Sequence, residues 1–268
     1  MRLGAALTST ALDGSPMTGD SFARSASGIE EAGYSSIWTF DAVGRGFMLP
    51  DPLMALTAAA AATEHVELGT GIMQLPIRNV AEVAHRVFTL ELLAPGRVLF
   101  GVGPGSTERD FEVFGGHPSN VTGSADAFAS RFADFDEQWV ELQRWIGDGK
   151  LGDRDLSPAP ELLGGPSLML AGWHGRWVER AAAEAAGWIA SAVYADDEQL
   201  ADGIARYRNA GGERAIVTNI QVGEDLAPTI DRIGRFAELG FDDAVVLDLT
   251  PSRERLDTIR ASLPSEST

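Results

Sequence analysis

Residues 31–41 read Glu31-Ala32-Gly33-Tyr34-Ser35-Ser36-Ile37-Trp38-Thr39-Phe40-Asp41. The glycine ends a segment of helical periodicity, because a residue without a Cβ atom fits the left-handed turn that follows many helices. A short apolar strand comes next and ends at an acidic residue. A helix, a glycine corner and a buried strand in this order are one unit of an alternating α/β fold.

The same unit recurs along the chain, where eight apolar runs with strand character alternate with eight segments of helical periodicity. The predicted strands are 2–7, 35–39, 66–72, 97–102, 167–171, 188–192, 215–222 and 243–249. The predicted helices are 18–32, 52–63, 80–94, 125–146, 176–186, 197–210, 227–239 and 252–262. Short apolar strands separated by helices pair in parallel. Eight such units predict a (β/α)8 TIM barrel, a single domain over residues 1–268, ahead of the alternative of an open doubly wound sheet.

Composition and charge narrow the class of protein. The formal charge of −18 argues against nucleic acid and anionic membranes as partners. The chain has no cysteine, which excludes disulfides and thiol nucleophiles and fits a cytoplasmic location. The four histidines are far apart in the sequence and show no zinc-ligand spacing, so no metal is predicted. No signal peptide and no apolar run of about 20 residues is recognisable.

The carboxyl ends of barrel strands carry active sites, so the residues that follow each strand are the site candidates. Asp41 ends the second strand, and we predict a catalytic role for it. Trp38 either belongs to the same site or packs between barrel and helices. Thr70, Gly71 and Ile72 end the third strand, where glycine lets the backbone turn tightly or a flat ligand approach closely.

The fourth and fifth strands end in further glycine-rich segments. The fourth ends in Gly103, Pro104, Gly105 and Ser106, which lack the spacing of a dinucleotide fingerprint and instead predict backbone that passes over a ring system. The fifth leads directly into a helix. A helix start with glycines and an arginine predicts a phosphate site, and its residues are Gly172, Trp173, His174, Gly175 and Arg176.

Two connections are longer than the rest. Residues 103–124 are predicted to form a long loop at the carboxyl side of the strands, where a functional role is expected. Residues 147–166 lie on the opposite side and are predicted to be a flexible connection. Arg109, in the first of these segments, is a candidate for anion binding or for a surface ion pair.

Five stretches together resemble the luciferase-like family of flavin-dependent oxidoreductases and monooxygenases. The resemblance keeps the family order from about residue 2 to residue 249. The stretches are Glu31-Ala32-Gly33-Tyr34-Ser35-Ser36-Ile37-Trp38, Leu68-Gly69-Thr70-Gly71-Ile72, Pro95-Gly96-Arg97-Val98 with Gly101-Val102-Gly103-Pro104-Gly105, Ala171-Gly172 and Ala186-Gly187-Trp188.

The resemblance implies a barrel that binds FMN or the deazaflavin coenzyme F420, with the ring over the strand ends. Residues 70–72 would form the family's bulged strand end behind the ring, often with a non-proline cis peptide. Residues 103–106 would line the side chain of the ring, residues 172–176 would receive the phosphate, and Asp41 would face the ring.

The chain departs from the family pattern at four places. Ala42 stands where many members have a histidine or a second acid, and Ala186 stands where an aspartate is frequent. Pro104 replaces an arginine of the bacterial luciferase alpha chain, and the Gly-Pro-Gly sequence is similar to deazaflavin-dependent methylene-tetrahydromethanopterin reductases. The chain is also shorter than typical members between residues 146 and 166, which would leave the site more open.

The resemblance implies hydride transfer between coenzyme F420 and a small organic substrate. A reduced-FMN-dependent monooxygenase is the first alternative, since FMN performs both hydride transfer and oxygen activation. A flavin-binding barrel without catalysis is the second. An aldolase is disfavoured because Lys150, the only lysine, lies outside any strand end. The alanine-rich helix at residues 52–63 could supply the face of a homodimer, as in members of the family.

Overall fold

The computed structural model describes residues 1–42, 49–114 and 124–263. Its helices and strands, in chain order, are β1 (Arg2–Ala6), α1 (Gly19–Glu31), β2 (Ser36–Thr39), α2 (Pro52–Ala62), β3 (Glu67–Thr70), β4 (Met73–Gln74), α3 (Val80–Leu93), β5 (Val98–Gly103), α4 (Glu108–Phe114), α5 (Ser124–Asp148), β6 (Lys150–Leu151), β7 (Arg154–Asp155), β8 (Ser167–Ala171), α6 (Trp177–Glu184), β9 (Gly187–Ser191), α7 (Asp197–Asn209), β10 (Ala215–Gln221), α8 (Ala227–Leu239), β11 (Asp243–Leu247) and α9 (Arg253–Ala261).

The large sheet closes on itself. Parallel pairs run in the order β3-β2-β1-β11-β10-β9-β8-β5, and β3 pairs with β5 to complete the circle. The two-residue strand β4 continues the third barrel strand beside β5. The predicted (β/α)8 TIM barrel is therefore confirmed, and the open sheet is excluded. The prediction of a single domain over residues 1–268 stays a prediction.

The interior of the barrel is filled by one side chain from each of several strands. Trp38 lies among Leu99, Met169 and Ile189 and is fully buried. A Cβ atom added at Gly69 would lie 2.5 Å from the Trp38 ring, so only glycine on β3 leaves room for the indole. The prediction that Trp38 packs between barrel and helices is wrong, because its side chain points into the barrel.

Four charged side chains close the end of the barrel at which the strands begin. Arg2 donates to Asp243 at 2.9 Å and to Glu67 at 2.7 Å. Arg214 donates to the same two carboxylates, at 3.0 Å to Asp243 and 2.6 Å to Glu67. Two cations and two anions balance, so the buried Asp243 and its three partly buried partners satisfy one another.

Two segments differ from the sequence prediction. The predicted loop 103–124 contains the helix α4, whose Phe111 is buried against Ile77 and Ala127. The predicted flexible connection 147–166 contains the hairpin of β6 and β7, and its two-residue turn begins at Gly152 with a φ of 65°. Burial of an aromatic residue and a glycine turn explain the order in each.

Within the described ranges, no helix is both long enough and apolar enough to cross a membrane.

Candidate functional site

The third barrel strand is interrupted at the open end of the barrel, the end at which the strands finish. Thr70 ends β3, and its hydroxyl donates to the Gly101 carbonyl at 2.8 Å. The peptide bond between Gly71 and Ile72 is cis, at the place where the resemblance implies such a bond. Pairing with β5 resumes at Met73, so the predicted strand 66–72 is shorter than expected.

The floor of the open end is flat and apolar. Ile72 and Ala171 rest, partly buried, on the side chains that fill the barrel. Gly103 lies between them, because a Cβ atom added there would be 3.1 Å from Ile72 Cδ1 and 3.7 Å from Ala171 Cβ. Because Gly103 has no side chain, its backbone allows a close approach by a flat ligand.

An aromatic pair stands on one side of this floor. The rings of Trp173 and Tyr194 are stacked with centroids 5.7 Å apart and planes 4° apart. The Ser106 hydroxyl lies 3.1 Å from the Tyr194 hydroxyl, which links the loop after β5 to the loop after β9. The indole N–H of Trp173 is buried and has no partner among the described residues.

Asp41 lies at the end of β2, with its carboxylate directed into the protein. It accepts hydrogen bonds from Arg78 Nη2 at 2.6 Å and from the backbone N–H of Gln74 at 3.1 Å, and its side chain is 1% exposed. Burial raises the pKa of Asp41, Arg78 opposes that shift, and the nearby Asp110 adds to it. These contacts tie β2 to the segment after the cis peptide; the catalytic role stays a prediction.

Buried polar atoms without a partner concentrate at the open end. Five of the seven such side-chain atoms in the described part of the chain belong to residues around it, and the other two are on the last turns of α3 and α5. The five are Gln74 Oε1, Arg78 Nε, Arg131 Nε, Gln138 Oε1 and Trp173 Nε1. An unsatisfied buried polar group costs about 1–3 kcal/mol, so a set of donors and acceptors this dense is suited to a polar ligand.

The segment after β8 forms a tight corner that leads into α6. A Cβ atom at Gly172 would lie 2.7 Å from Trp177, and the Gly172 carbonyl accepts from Trp188 Nε1 at 2.6 Å. His174, Gly175 and Arg176 are exposed. The Arg176 guanidinium already pairs with Asp136 on α5 at 2.6 Å. The structure therefore places an exposed cation, already paired with Asp136, at the start of a helix, and the phosphate site stays a prediction.

The remaining candidates are distributed as follows. Gly105 has a φ of 87°, and a Cβ atom there would lie 2.5 Å from Gln74 Oε1, so the loop 103–106 passes directly over that amide. Pro104 is half-buried in it. Arg109 is exposed on α4.

Sequence reasoning missed several residues of this end. Gln74 and Arg78 follow the third strand, and Tyr194 follows the sixth barrel strand, β9. Asn219 has a φ of 59° at an irregularity in β10, and its side-chain amide donates to Ser191 Oγ at 3.1 Å. An asparagine inside an apolar strand run was a usable signal for such a bulge, whereas Tyr194 carried no local signal.

Comparisons with known proteins find similar oxidoreductases. A family model described as luciferase-like monooxygenase matches residues 1–231. The 4-hydroxyprotoasukamycin monooxygenase of Streptomyces nodosus subsp. asukaensis is 27% identical over 147 residues, which cover 53% of this chain and 39% of that protein. The F420-dependent glucose-6-phosphate dehydrogenase of Amycolatopsis mediterranei is 29% identical over 167 residues, which cover 55% and 48%. The matches thus span less than half of either relative.

Solved structures share the fold over almost the whole chain. The monooxygenase RslO1 from Streptomyces bottropensis has a TM-score of 0.74 at 18% identity and covers 97% of both chains. An F420-dependent secondary alcohol dehydrogenase in complex with an F420-acetone adduct has a TM-score of 0.72 at 19% identity, with 98% coverage of each. The oxygenating constituent of 3,6-diketocamphane monooxygenase from Pseudomonas putida, in complex with FMN, has a TM-score of 0.64 at 17% identity, covering 90% of this chain and 72% of that one.

Proposed function

Because this chain belongs to the luciferase-like monooxygenase family, we propose that it is an oxidoreductase that holds coenzyme F420 or FMN at the open end of its barrel. F420 is the preferred cofactor, and the reaction is hydride transfer to or from a small organic substrate. The observation that carries this proposal is the apolar floor of Ile72, Gly103 and Ala171 beside buried polar atoms that have no partner among the described residues.

The residues present fit a cofactor of this shape. A flavin or deazaflavin ring has two apolar faces and a polar edge, and the floor offers a surface for one face. Trp173 Nε1 is a donor without a described partner beside the floor, and Gln74 Oε1 is an acceptor without one beneath the loop 103–106, so both kinds of group lie next to the place proposed for the polar edge. Bound there, either cofactor supplies hydride transfer, and reduced FMN also reacts with oxygen.

The protein's own part is to bind, orient and exclude water. The stacked pair of Trp173 and Tyr194 shields one side of the floor, and Ser106 holds Tyr194 in place. Asp41 acts through Arg78 and the Gln74 backbone, so we assign it the positioning of the segment next to the floor. The predicted direct contact between Asp41 and ring or substrate remains a prediction.

The loops after β5 and β8 are proposed to hold different parts of the cofactor. Residues 103–106 line the side chain of the ring, where Gly105 turns the backbone. Residues 172–176 take the phosphate with the exposed Arg176 at the start of α6. The loop 103–106 carries no cation at Pro104, which supports the deazaflavin, and one curated relative is named an F420-dependent dehydrogenase. The relative named a monooxygenase keeps FMN as the second candidate.

The test is a fluorescence titration of the purified full chain with F420 and with FMN. We expect both to bind and F420 to bind more tightly. Failure of both to bind would overturn the cofactor proposal, and tighter binding of FMN would reverse the preference. Binding without turnover of any electron donor or acceptor would support a flavin-binding barrel without catalysis.

A matched pair of arginine variants tests the phosphate site. Arg176→Ala should weaken cofactor affinity roughly three- to tenfold, because an exposed charge-assisted hydrogen bond is partly screened by solvent. Arg235→Ala is the control, since Arg235 is also exposed and also pairs with an aspartate, Asp197. Equal cofactor affinities in the two variants would show that Arg176 does not bind the phosphate.

Three further parts of the proposal concern the whole protein. A homodimer would use the outer face of α2, where Met54 is exposed, and light scattering on the purified chain measures its mass. A cytoplasmic location remains a prediction from the lack of cysteine. We also propose that neither nucleic acid nor membrane is a partner of a chain with charge −18.

A further inference from the structure

Arg131 occupies an unusual position on the long helix α5. It shares the inner side of the helix with Ala127 and Phe135, both fully buried. Its guanidinium lies 3.8 Å from the ring centre of Phe128 and 4.2 Å from that of Phe132. A cation is therefore placed on a side of the helix that is otherwise mostly apolar.

The guanidinium has few polar partners. Nη1 donates to the Phe128 carbonyl at 2.7 Å, and Nε is buried without a partner among the described residues. No described carboxylate forms an ion pair with Arg131, and burial alone lowers its pKa. Arg180, on the neighbouring helix α6, shows the contrast, because it pairs with both Asp136 and Glu184.

Arg131 lies further out than the predicted phosphate site. The α5 helix begins at the open end of the barrel, and Arg131 precedes Asp136 by five residues, which is about 7.5 Å along the helix axis. Asp136 is the partner of Arg176. The Phe132 ring is 5.9 Å from that of Trp177, the first residue of α6, so Arg131 is close to the start of that helix.

We propose that Arg131 binds an anionic group, a carboxylate or a phosphate, of the ligand at the open end, outward from the phosphate at Arg176. This inference rests on the proposed function. Coenzyme F420 carries carboxylates beyond its phosphate, whereas FMN ends at its phosphate. The second source of the same chemistry is an acidic substrate.

Most of the N–H groups of Arg131 have no partner among the described residues. Aromatic rings next to a guanidinium cover its faces and leave its N–H edge for an anion. An arginine presents five N–H donors in a fork that matches a carboxylate or a phosphate, and a single hydrogen bond of Arg131 is described. Lysine keeps the charge but lacks the fork, so it should replace Arg131 poorly.

The experiment compares full-length Arg131→Met, Arg131→Lys and Arg144→Met. Arg144 is the other arginine of α5 and is exposed, so its variant removes the same charge from the same helix. The probes are F420, its phosphate-free parent deazariboflavin, FMN and riboflavin, each titrated by fluorescence at low and high salt. We expect Arg131→Met to weaken F420 binding roughly tenfold and to reduce its salt dependence. Deazariboflavin and riboflavin should change less than about twofold, and the lysine variant should lie between.

A second arm separates the two sources of the anion. Benzoate and inorganic phosphate are titrated into the F420-loaded protein. Unchanged F420 affinity together with loss of benzoate or phosphate binding in Arg131→Met assigns the residue to the substrate. Wild-type behaviour of Arg131→Met toward every probe, or an equal loss in Arg144→Met, would overturn the proposal.

Failure of the proposed function has a different signature. A wild-type protein that binds neither F420 nor FMN would refute the cofactor proposal, and loss of phosphate binding by the apo-protein in Arg131→Met would still support the anion site. Thermal unfolding checks the fold. Arg131→Met should keep or raise the melting temperature, because it removes a partly buried cation that has no carboxylate partner.

Discussion

Polar groups that are partly or wholly buried have protein partners at one end of the barrel and lack described partners at the other. At the closed end, where the strands begin, Arg2, Glu67, Arg214 and Asp243 bind one another in a balanced ionic cluster. Burial raises the pKa of Glu67, and Arg2 opposes that shift. At the open end, donors and acceptors are buried beside the apolar floor and lack partners among the described residues.

The difference separates stability from function on one scaffold. Charges that satisfy each other hold the strands in register and leave nothing for a ligand. Unpaired groups weaken the free protein and are available to a bound molecule. In eight-stranded barrels of this type the carboxyl end is the site of chemistry, and the opposite end serves stability. The polar groups of this chain follow the same division.

The largest effect is expected at the closed end. Asp243→Ala leaves two partly buried arginines with Glu67 as the remaining carboxylate of the cluster, and the free energy of unfolding should fall by about 3 kcal/mol. Cofactor affinity, measured below the unfolding transition, should change by less than about twofold. Denaturant unfolding and fluorescence titration supply the two numbers. Asp257→Ala, which removes an exposed partner of Arg253, should hardly change either.

A substitution at Gly103, on the floor of the open end, should lower cofactor affinity and leave stability nearly unchanged. Gly103→Val places methyl groups where the ring is proposed to lie, so cofactor affinity should fall at least about tenfold. Stability should change by less than about 1 kcal/mol, because the nearest atom is the flexible end of Ile72. Gly69→Ala is the matched control, since its Cβ would meet the rigid Trp38 ring and should destabilise by about 1–3 kcal/mol. A loss of stability in Gly103→Val equal to that in Gly69→Ala would break the comparison.

Two tryptophans at the open end provide a second comparison between ligand binding and stability. The indole N–H of Trp173 has no partner within residues 1–42, 49–114 and 124–263, whereas Trp188 donates to the Gly172 carbonyl. Trp173→Phe should leave the unfolding free energy within about 0.5 kcal/mol and weaken cofactor binding roughly three- to tenfold. Trp188→Phe should instead cost about 1–3 kcal/mol of stability. If Trp173→Phe binds the cofactor like the wild type, its N–H does not serve the ligand.

The smallest effect is expected at Glu91, one of the two residues away from the open end that have a buried polar atom without a described partner. Glu91 accepts from the Gly96 N–H at 2.7 Å, and its second oxygen is buried without a described partner. Burial raises the pKa of Glu91, so between its unfolded and folded pKa values the folded state binds more protons. Wild-type stability relative to Glu91→Gln should therefore fall slightly as the pH rises through that window, and stay constant above it.

Urea unfolding at several pH values between about 4 and 8 measures this difference. Glu64→Gln, at an exposed carboxylate, supplies the background from an acid that is not buried. A stability difference between wild type and Glu91→Gln that rises with pH would contradict the sign derived from burial.

The sequence predicted the fold more completely than the site. All eight predicted strands and eight predicted helices are present, and β8 and α8 have the expected bounds. Gly103 and Gly172 were identified because glycine at a strand end is a local signal. The helix α4 was missed, since its seven residues are too few to show periodicity above the surrounding glycines and polar residues.

Side-chain partners set the limit of what was predictable. Asp41 stood out as an acid at a strand end, but its ion pair with Arg78 joins residues 37 positions apart. The stack of Trp173 on Tyr194 likewise joins two separate loops. Periodicity and turn chemistry are read within a few neighbouring residues, whereas such contacts depend on how distant strands pack.

The sequence by itself determined the alternation of helix and strand, and with it the barrel and the glycine-rich strand ends. These features follow from local rules of hydrophobic period and backbone freedom. Tertiary structure alone decided which polar groups find partners: the charges at the closed end meet one another, and Arg131 meets two aromatic rings and, in the part of the chain that the structure describes, no carboxylate. Burial removes water from all of these groups, so the packing around each one decides whether it stabilises the fold or is left to bind a ligand.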